Sequence, residues 1–304
     1  MKRTSVFIGA AAASATWWQI THRSSPAVRG WRPSGLPDRR VGPLHVRAGG
    51  DAGPLVVLLH GFLATGDVFG AAFDPLARTA TVVVPDLLGF GRSLDETRSR
   101  FSPDDHLDAL DDLIEDMDLG RQSIHIGAHS MGAAVAMRWA QRRGAQVQRI
   151  VCWGPPVYSD VGAVDRALAD SGLITRLFVA DTWWARAACR VNCRHRRLAG
   201  ILATMLTPSL PVAVSRAASL HTWPAYRDAM DHLIADTDWD HLVGAVSRAG
   251  TSVRLVWGSA DRIGDPDYAR SLSGASVEIV RDAGHRLPMT HGHRCVSHLR
   301  DPLS

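Results

Sequence analysis

Three residues whose types suit hydrolytic chemistry, Ser130, Asp261 and His285, each follow an apolar run predicted to be a β-strand. In a parallel sheet the carboxyl ends of the strands lie at one edge, so these side chains are expected to meet there. A serine hydroxyl becomes nucleophilic when an imidazole takes its proton and a carboxylate orients that imidazole. The order Ser, Asp, His therefore predicts a nucleophile, an acid and a base of one site.

The surroundings of Ser130 predict a strand, a sharp turn and a helix over residues 124–134. A turn that lifts a hydroxyl above a sheet is strained and accepts only small neighbours. Ala128 and Gly132, two residues to either side, are small. The full pattern G-x-S-x-G has Gly in place of Ala128, and one methyl group is the smallest departure from it.

Two backbone N–H groups are candidates for an oxyanion hole, those of Met131 and Phe62. Met131 directly follows the serine, and Phe62 follows His60-Gly61 at the end of another predicted strand. Such donors stabilise the negative charge that develops when an acyl group is attacked. His60 is expected to brace this loop, and His129 to pack beneath the turn.

The acid of the site has alternatives in the sequence. Asp261 is favoured because Trp257-Gly258-Ser259-Ala260-Asp261 leads directly out of a strand. It could instead cap a loop, with Asp160 or Asp265 as the partner of His285. Asp86 and Arg92, in a Gly-rich turn, are interpreted as structural members of that turn.

Apolar runs alternate with helical patterns along most of the chain. This alternation predicts an α/β fold, a mostly parallel sheet with helices on both faces. One helix is predicted at residues 68–77 and another at 103–119, capped by Ser102. The predicted strands are 44–46, 54–59, 81–84, 149–154, 253–258 and 277–280, together with the alternating run from Ile124 that leads to Ser130.

The alternation stops between residues 155 and 236, where only helical patterns occur. A loop of that length is implausible in a compact domain, so a helical cap is predicted there. The candidate substrate-binding residues are Trp183, Trp184 and Met205. They share an apolar lining with Leu198, Ile201 and Leu202. These side chains could equally form the core of the cap. The predicted cap helices are 164–168, 173–180, 183–205 and 225–234. The predicted divisions are an N-terminal segment and linker (1–38), a core in two parts (39–154 and 237–304) and the cap (155–236).

Five motifs in order identify the chain as similar to the α/β-hydrolase superfamily, of the serine-nucleophile type with a helical cap. They span residues 54–285 and are His60-Gly61-Phe62, Asp86 to Ser93, the turn at Ser130, Trp257 to Asp261, and Gly284-His285. The resemblance implies an eight-stranded sheet, a cap inserted after the sixth strand, and Ser130, Asp261 and His285 as catalytic triad.

The resemblance also implies a function. Members that cleave carbon–halogen bonds or epoxides carry Asp at the position of Ser130, which leaves acyl transfer to water. The expected activity is hydrolysis of a small apolar acyl or aromatic ester through an acyl-enzyme, without cofactor. Carbon–carbon bond hydrolysis, cofactor-free perhydrolysis and a ligand receptor on the same scaffold stay open.

Composition limits the remaining partners. The net charge is +4, but Lys2 is the only lysine among 34 basic residues, an arginine bias that indicates genome composition. No basic and aromatic stripe typical of nucleic-acid binding is present in the sequence. Cys189 and Cys193 would share a helix face, yet no second ligand pair has suitable spacing, so small buried residues are favoured over a metal site.

The first 20 residues allow three interpretations. Lys2-Arg3 precede an uncharged run with Ala13-Ser14-Ala15, as in a secretory signal. Trp17-Trp18 could instead sit at a membrane surface as an uncleaved anchor that gives peripheral membrane contact. An Ala-rich cytoplasmic tail is the third interpretation, so localisation and oligomeric state stay open.

Overall fold

The computed structural model describes residues 29–160, 162–163 and 183–300. The predicted signal or anchor at residues 1–20 and the predicted cap helices 164–168 and 173–180 lie outside the described residues. Among the helices that are described, none is long and apolar enough to cross a membrane.

Across the described ranges, eight strands form one sheet in the order β1-β2-β4-β3-β5-β6-β7-β8. β1 and β2 pair antiparallel, as do β2 and β4, and all other neighbours pair parallel. The prediction of a mostly parallel eight-stranded sheet is therefore confirmed. The strands are β1 (Asp38–Val41), β2 (Leu44–Gly49), β3 (Leu55–Leu59), β4 (Thr81–Pro85), β5 (Ile124–His129), β6 (Val147–Trp153), β7 (Ser252–Gly258) and β8 (Ala275–Val280).

The central strands are apolar throughout because both faces of the sheet are covered. Every residue of β3 and β4 is buried, and separate apolar clusters form on the two faces. Continuous apolar runs are typical of such doubly covered parallel strands. The described helices are α1 (Pro103–Asp116), α2 (Gly132–Arg143), α3 (Trp183–Arg194), α4 (Arg196–Leu206), α5 (Val212–Ala217), α6 (Trp223–Ala229), α7 (Trp239–Arg248), α8 (Pro266–Ala269), α9 (Leu287–Thr290) and α10 (Gly292–Arg300).

Helix α1 begins where the sequence predicts. The Ser102 side chain accepts from the Asp105 N–H, and the Asp105 carboxylate accepts from the Ser102 N–H, which forms a reciprocal capping box. Leu107, Leu110 and Leu113 are buried on one face of the helix. The apolar spacing thus positions α1 against the sheet.

Helices α3 to α6 lie between β6 and β7, the place predicted for the cap, and we call residues 183–235 the helical insertion. A π-helical turn, Met230–Ala235, extends α6. Helix α7 follows and packs against α2, so the chain has returned to the sheet by residue 239.

The predicted helix at residues 68–77 is wrong. Two short 3-10 turns stand there instead, Gly66–Val68 and Asp74–Arg78. The N–H of Ala71 donates to the carbonyl of Arg32, a bond to another segment that replaces a helical one. A Cβ on Gly70 would lie only 2.3 Å from that same carbonyl oxygen. The close approach of residue 32 therefore interrupts the helix.

The single predicted helix at 183–205 is also wrong, because the chain breaks at His195 into α3 and α4. His195 has φ −125° and ψ 42°, outside the helical region. On either side of the break the helices pack on different neighbours, α3 on α6 and α4 on α5. These competing contacts explain a break that the apolar spacing alone does not indicate.

Candidate active site

Ser130 lies at a sharp turn between β5 and α2. Its φ is +52°, in the left-handed region that non-glycine residues rarely occupy. A Cβ on Gly132 would lie 2.6 Å from the carbonyl oxygens of Leu59 and His60, so this position admits no side chain. Ala128 is fully buried with its methyl group accommodated. The turn thus has the geometry of a nucleophile elbow, and its two small neighbours fit it.

Asp261 and His285 meet at the ends of β7 and β8. The Nδ1 atom of His285 lies 3.0 Å from Oδ2 and 3.1 Å from Oδ1 of Asp261. The Asp261 side chain is inaccessible to solvent, whereas 31% of the His285 side chain is exposed. Asp261 also accepts from the N–H of Ile263 at 2.9 Å. A buried carboxylate held in this way orients the imidazole with its other nitrogen directed away from the acid.

The two alternative acids have other partners. Asp265 caps α8, where its side chain accepts from the N–H groups of Asp267 and Tyr268. Asp160 accepts from the Ser159 hydroxyl and from the N–H of Ala163. Of the three candidate acids, Asp261 is the one whose carboxylate contacts the His285 imidazole.

Trp153 and Gly154, at the end of β6, place Ser130 and His285 at the same edge of the sheet. The N–H of Ser130 donates to the carbonyl of Trp153, the residue before Gly154. A Cβ on Gly154 would lie 2.8 Å from both Asp261 Oδ2 and His285 Nδ1. Within the described residues the Ser130 hydroxyl and the His285 imidazole form no direct hydrogen bond. Catalytic hydrogen bonds of this kind often tighten only when substrate is bound.

His129 makes a contact that the sequence reasoning did not assign. Its Nε2 atom lies 2.9 Å from the carbonyl oxygen of His285, and the two imidazole rings are 4.8 Å apart. A carbonyl only accepts, so Nε2 carries the proton. Burial, together with the nearby charge of His285, lowers the pKa of His129 to about 3. His129 is therefore a neutral donor that fixes the backbone of the proposed base.

The two predicted oxyanion donors lie at adjoining strand ends. In the described part of the chain, neither the Phe62 nor the Met131 N–H donates to another protein group. His60 fixes the first loop: its Nδ1 lies 2.8 Å from the carbonyl oxygen of Gly61, and its Nε2 accepts from the N–H of Leu87 at 2.8 Å. Burial lowers the pKa of His60, which keeps it in this neutral tautomer. The predicted bracing role of His60 is consistent with these bonds.

Asp86 and Arg92 occupy the Gly-rich turn after β4 in the structural role predicted for them. The buried Asp86 carboxylate accepts from the N–H of Gly66 at 2.8 Å and from that of Arg92 at 2.9 Å. A Cβ on Gly91 would lie 2.4 Å from Asp86 Oδ2, which excludes a larger residue there. These bonds tie the turn to the loop that follows Phe62.

An apolar cavity of about 500 Å³ lies in the helical insertion. Leu198, Leu202 and Leu206 of α4 line it, together with Leu63 and Tyr226. Leu63 directly follows Phe62, so the cavity adjoins the predicted oxyanion loop, although neither Ser130 nor His285 lines it. Met205 is 54% exposed on α4 and outside this lining, and the side chains of Trp183 and Trp184 lie outside the described residues.

Comparison with known proteins agrees with the observed fold. A family model described as the alpha/beta hydrolase family matches residues 56–298. The magnesium-chelatase 30 kDa subunit of Rhodobacter capsulatus is 29% identical over 258 residues, which cover 81% of this chain and 87% of that protein.

Two further comparisons concern a lipase and a solved fold. Lipase LipV of Mycobacterium tuberculosis is 28% identical over 269 residues, covering 86% of this chain and 97% of the lipase. The crystal structure of E-2-(acetamidomethylene)succinate hydrolase superposes with a TM-score of 0.65 at 20% identity, covering 88% of this chain and 100% of that one. At that identity the superposition supports the fold alone.

Proposed function

Because the chain belongs to the alpha/beta hydrolase family, we propose that it hydrolyses carboxylic esters through an acyl-enzyme formed on Ser130. The observation that carries the proposal is the buried Asp261 carboxylate, 3.0 Å from His285 Nδ1 at the edge of the sheet where Ser130 stands on its strained turn. A carboxylate–imidazole pair at the same sheet edge as a partly exposed serine is the arrangement that activates a hydroxyl.

The proposed reaction uses the same groups in both halves. Ser130 Oγ attacks the ester carbonyl while His285 Nε2 takes its proton, and Asp261 stabilises the resulting imidazolium. The N–H groups of Phe62 and Met131 stabilise the oxyanion of the tetrahedral intermediate. His285 then protonates the leaving alcohol. In the second half it deprotonates water, which attacks the acyl-enzyme, and it then returns the proton to Ser130 Oγ as the acid is released.

The substrate side of the proposal rests on the apolar cavity. Its wall of leucines on α4, adjoining Leu63, suits an acyl chain or an aromatic group. A relative named as a lipase supports the same class of substrate. Trp183, Trp184 and Met205 stay proposed substrate contacts. The division into a core (39–154 and 237–304) and a substrate-selecting cap (155–236) is part of this proposal.

An active-site probe tests the nucleophile. A fluorophosphonate is expected to label Ser130, as located by peptide mass spectrometry, and p-nitrophenyl esters of increasing acyl length are expected to be hydrolysed. Ser130→Ala should lower kcat by on the order of 10⁵-fold and Asp261→Asn by on the order of 10⁴-fold. The exposed Ser271 provides the matched control, Ser271→Ala, which keeps wild-type turnover. Undiminished ester turnover in Ser130→Ala would contradict the proposal.

Two related activities use the same triad, carbon–carbon bond hydrolysis and perhydrolysis. A panel that compares simple esters with vinylogous diketo acids, with and without peroxide, separates them by relative kcat/KM. A ligand-binding role on the same scaffold is the remaining candidate. Tight retention of a small ligand with no labelling of Ser130 would support that role over hydrolysis.

A further inference from the structure

Two cysteines and a histidine converge in the helical insertion, apart from the proposed triad. Cys189 and Cys193 stand one turn apart on α3, with their Sγ atoms 3.9 Å apart. His221 precedes α6, and its Nε2 atom lies 3.3 Å from the Sγ of Cys189. One ligand atom from each of the three residues lies within 4.8 Å of the others. The spacing of Cys189 and Cys193 indicated a shared helix face, but the third group comes from a segment that sequence spacing does not connect to them.

The histidine of this cluster presents a lone pair to the thiols. His221 Nδ1 lies 3.1 Å from the carbonyl oxygen of Ala218, and a carbonyl only accepts, so Nδ1 carries the proton. Nε2 is then unprotonated and faces Cys189. An imidazole whose far nitrogen donates to a backbone carbonyl is the form in which histidine binds metal ions.

Two of the three separations in the cluster match those of a tetrahedral zinc site. With Zn–S near 2.3 Å and Zn–N near 2.0–2.1 Å, tetrahedral angles place two sulfurs about 3.8 Å apart and a sulfur about 3.6 Å from a nitrogen. The corresponding separations in the cluster are 3.9 Å and 3.3 Å. The third separation, between Cys193 Sγ and His221 Nε2, is within 4.8 Å, and the Cys193 thiol donates to the His221 carbonyl at 3.2 Å. A rotation of the Cys193 side chain that gives up this bond and brings its sulfur up to about 1 Å closer to Nε2 would complete the site.

We propose that Cys189, Cys193 and His221 bind a zinc ion. Both thiols lose their protons on binding, so two thiolates, a neutral imidazole and Zn²⁺ give a site of zero net charge. Three protein ligands leave one tetrahedral position for water, and Cys193 is partly exposed. Arg196, which forms an ion pair with Glu96, lines the same surface pocket as Cys193.

The ion would connect two parts of the helical insertion. Cys189 and Cys193 belong to α3, whereas His221 lies in the segment between α5 and α6 and pairs with Phe90 of the core through an isolated β-bridge. Cys189 and His221 also line the apolar cavity. Zinc at this position would hold α3 against the core and fix one wall of the cavity, and this holds whether or not the chain is an esterase.

Metal binding is measured on the full-length protein after removal of metal under reducing conditions. Titration with Zn²⁺ against a chromophoric chelator is expected to show one ion per chain, and Co²⁺ should give a thiolate-to-cobalt charge-transfer band. Cys193→Ser and His221→Gln should each weaken Zn²⁺ binding by about 100-fold or more. Cys152→Ala is the control, because Cys152 is buried in β6 outside the cluster and its loss should leave the affinity unchanged.

A second measurement needs no variant. Zn²⁺ is expected to protect Cys193 of the wild-type chain from alkylation, as read by peptide mass spectrometry. Substoichiometric binding, unchanged affinity in Cys193→Ser and His221→Gln, or alkylation unaffected by Zn²⁺ would each overturn the proposal. A Cys189–Cys193 disulfide that persists in the reduced preparation would overturn it as well, because it consumes both thiolates.

Discussion

His129 joins the two loops on which the proposed chemistry depends. It precedes Ser130 in the chain and donates through Nε2–H to the carbonyl of His285, 156 residues further along. Because burial lowers its pKa to about 3, it stays uncharged and does not compete with His285 for a proton. A donor that fixes the backbone of the base also fixes the direction of its ring. His129 is thus a positioning residue, one that acts through His285.

Replacing His129 tests this positioning. His129→Phe keeps an aromatic ring against His285 but removes the donor, and we expect kcat for ester hydrolysis to fall on the order of 10- to 100-fold with little change in KM. His129→Gln retains an N–H donor and should recover most of the loss. Steady-state kinetics on one p-nitrophenyl ester measures both. Equal losses in the two variants, or a loss confined to KM, would contradict a role through this hydrogen bond.

At the residue scale, the sequence predicted the candidate side chains that follow strands. It left open the choices that depend on contacts between residues far apart in the chain. Ser130 follows the end of β5 with Ala128 and Gly132 two residues to either side, and His285 follows Gly284 after β8, so a local pattern is enough to propose both. Asp160, Asp261 and Asp265 all follow strands or their loops, so only the 3.0 Å approach of Asp261 to His285 distinguishes among them. The bond from His129 joins segments far apart in sequence and leaves no local pattern.

At the scale of elements, the start of α2 determines where the proposed nucleophile, Ser130, lies. Gly132 is the first residue of this helix, and it packs directly on the backbone of Leu59 and His60 at the end of β3. The same strand end leads to the predicted oxyanion residue Phe62. A displacement of α2 would therefore separate the two proposed oxyanion donors, Met131 and Phe62.

Gly132→Ala tests this packing. The added methyl would lie 2.6 Å from two backbone oxygens that cannot move aside, so the helix must shift. We expect kcat to fall on the order of 100-fold and the free energy of unfolding to fall by about 1–3 kcal/mol. Gly120→Ala is the matched control, because no atom lies within 4 Å of a Cβ there. Wild-type kinetics in Gly132→Ala would contradict this prediction, because they would show that α2 can lie further from the end of β3 without loss of activity.

The strands were predictable because burial on both faces imposes continuous apolar runs, as in β3 and β4. The prediction of helices was wrong where the backbone forms hydrogen bonds to, or packs on, another segment. The approach of residue 32 to Gly70 and Ala71 replaces the predicted helix at 68–77 with 3-10 turns. Likewise, the break at His195 follows from packing on separate neighbours, α5 and α6, which a spacing of apolar residues does not encode.

At the scale of the whole molecule, the alternation of strand and helix patterns predicted the fold, and its interruption located the helical insertion after β6.

Stability at low pH also belongs to the scale of the whole molecule, since it depends on buried groups in several elements. His106 of α1 is 1% exposed, and within the described residues neither of its ring nitrogens has a hydrogen-bond partner. Burial lowers its pKa to about 4. Burial also lowers the pKa of His129 to about 3 and the pKa of His221 to about 4.

The sign of the effect follows from proton binding. His106 of the unfolded chain binds a proton below about pH 6.5, whereas His106 of the folded chain binds one only near pH 4. The free energy of unfolding therefore falls as pH falls through this range. The slope is about 1.4 kcal/mol per pH unit for each such histidine. His106→Leu should flatten the decline by that amount, measured by urea unfolding at several pH values between 7 and 5. Ile114→Val, on the same buried face of α1, alters packing without removing a titrating group and should keep the wild-type slope. A decline in His106→Leu that runs parallel to that of the wild type would show that His106 accepts its proton in the folded state as readily as in the unfolded chain.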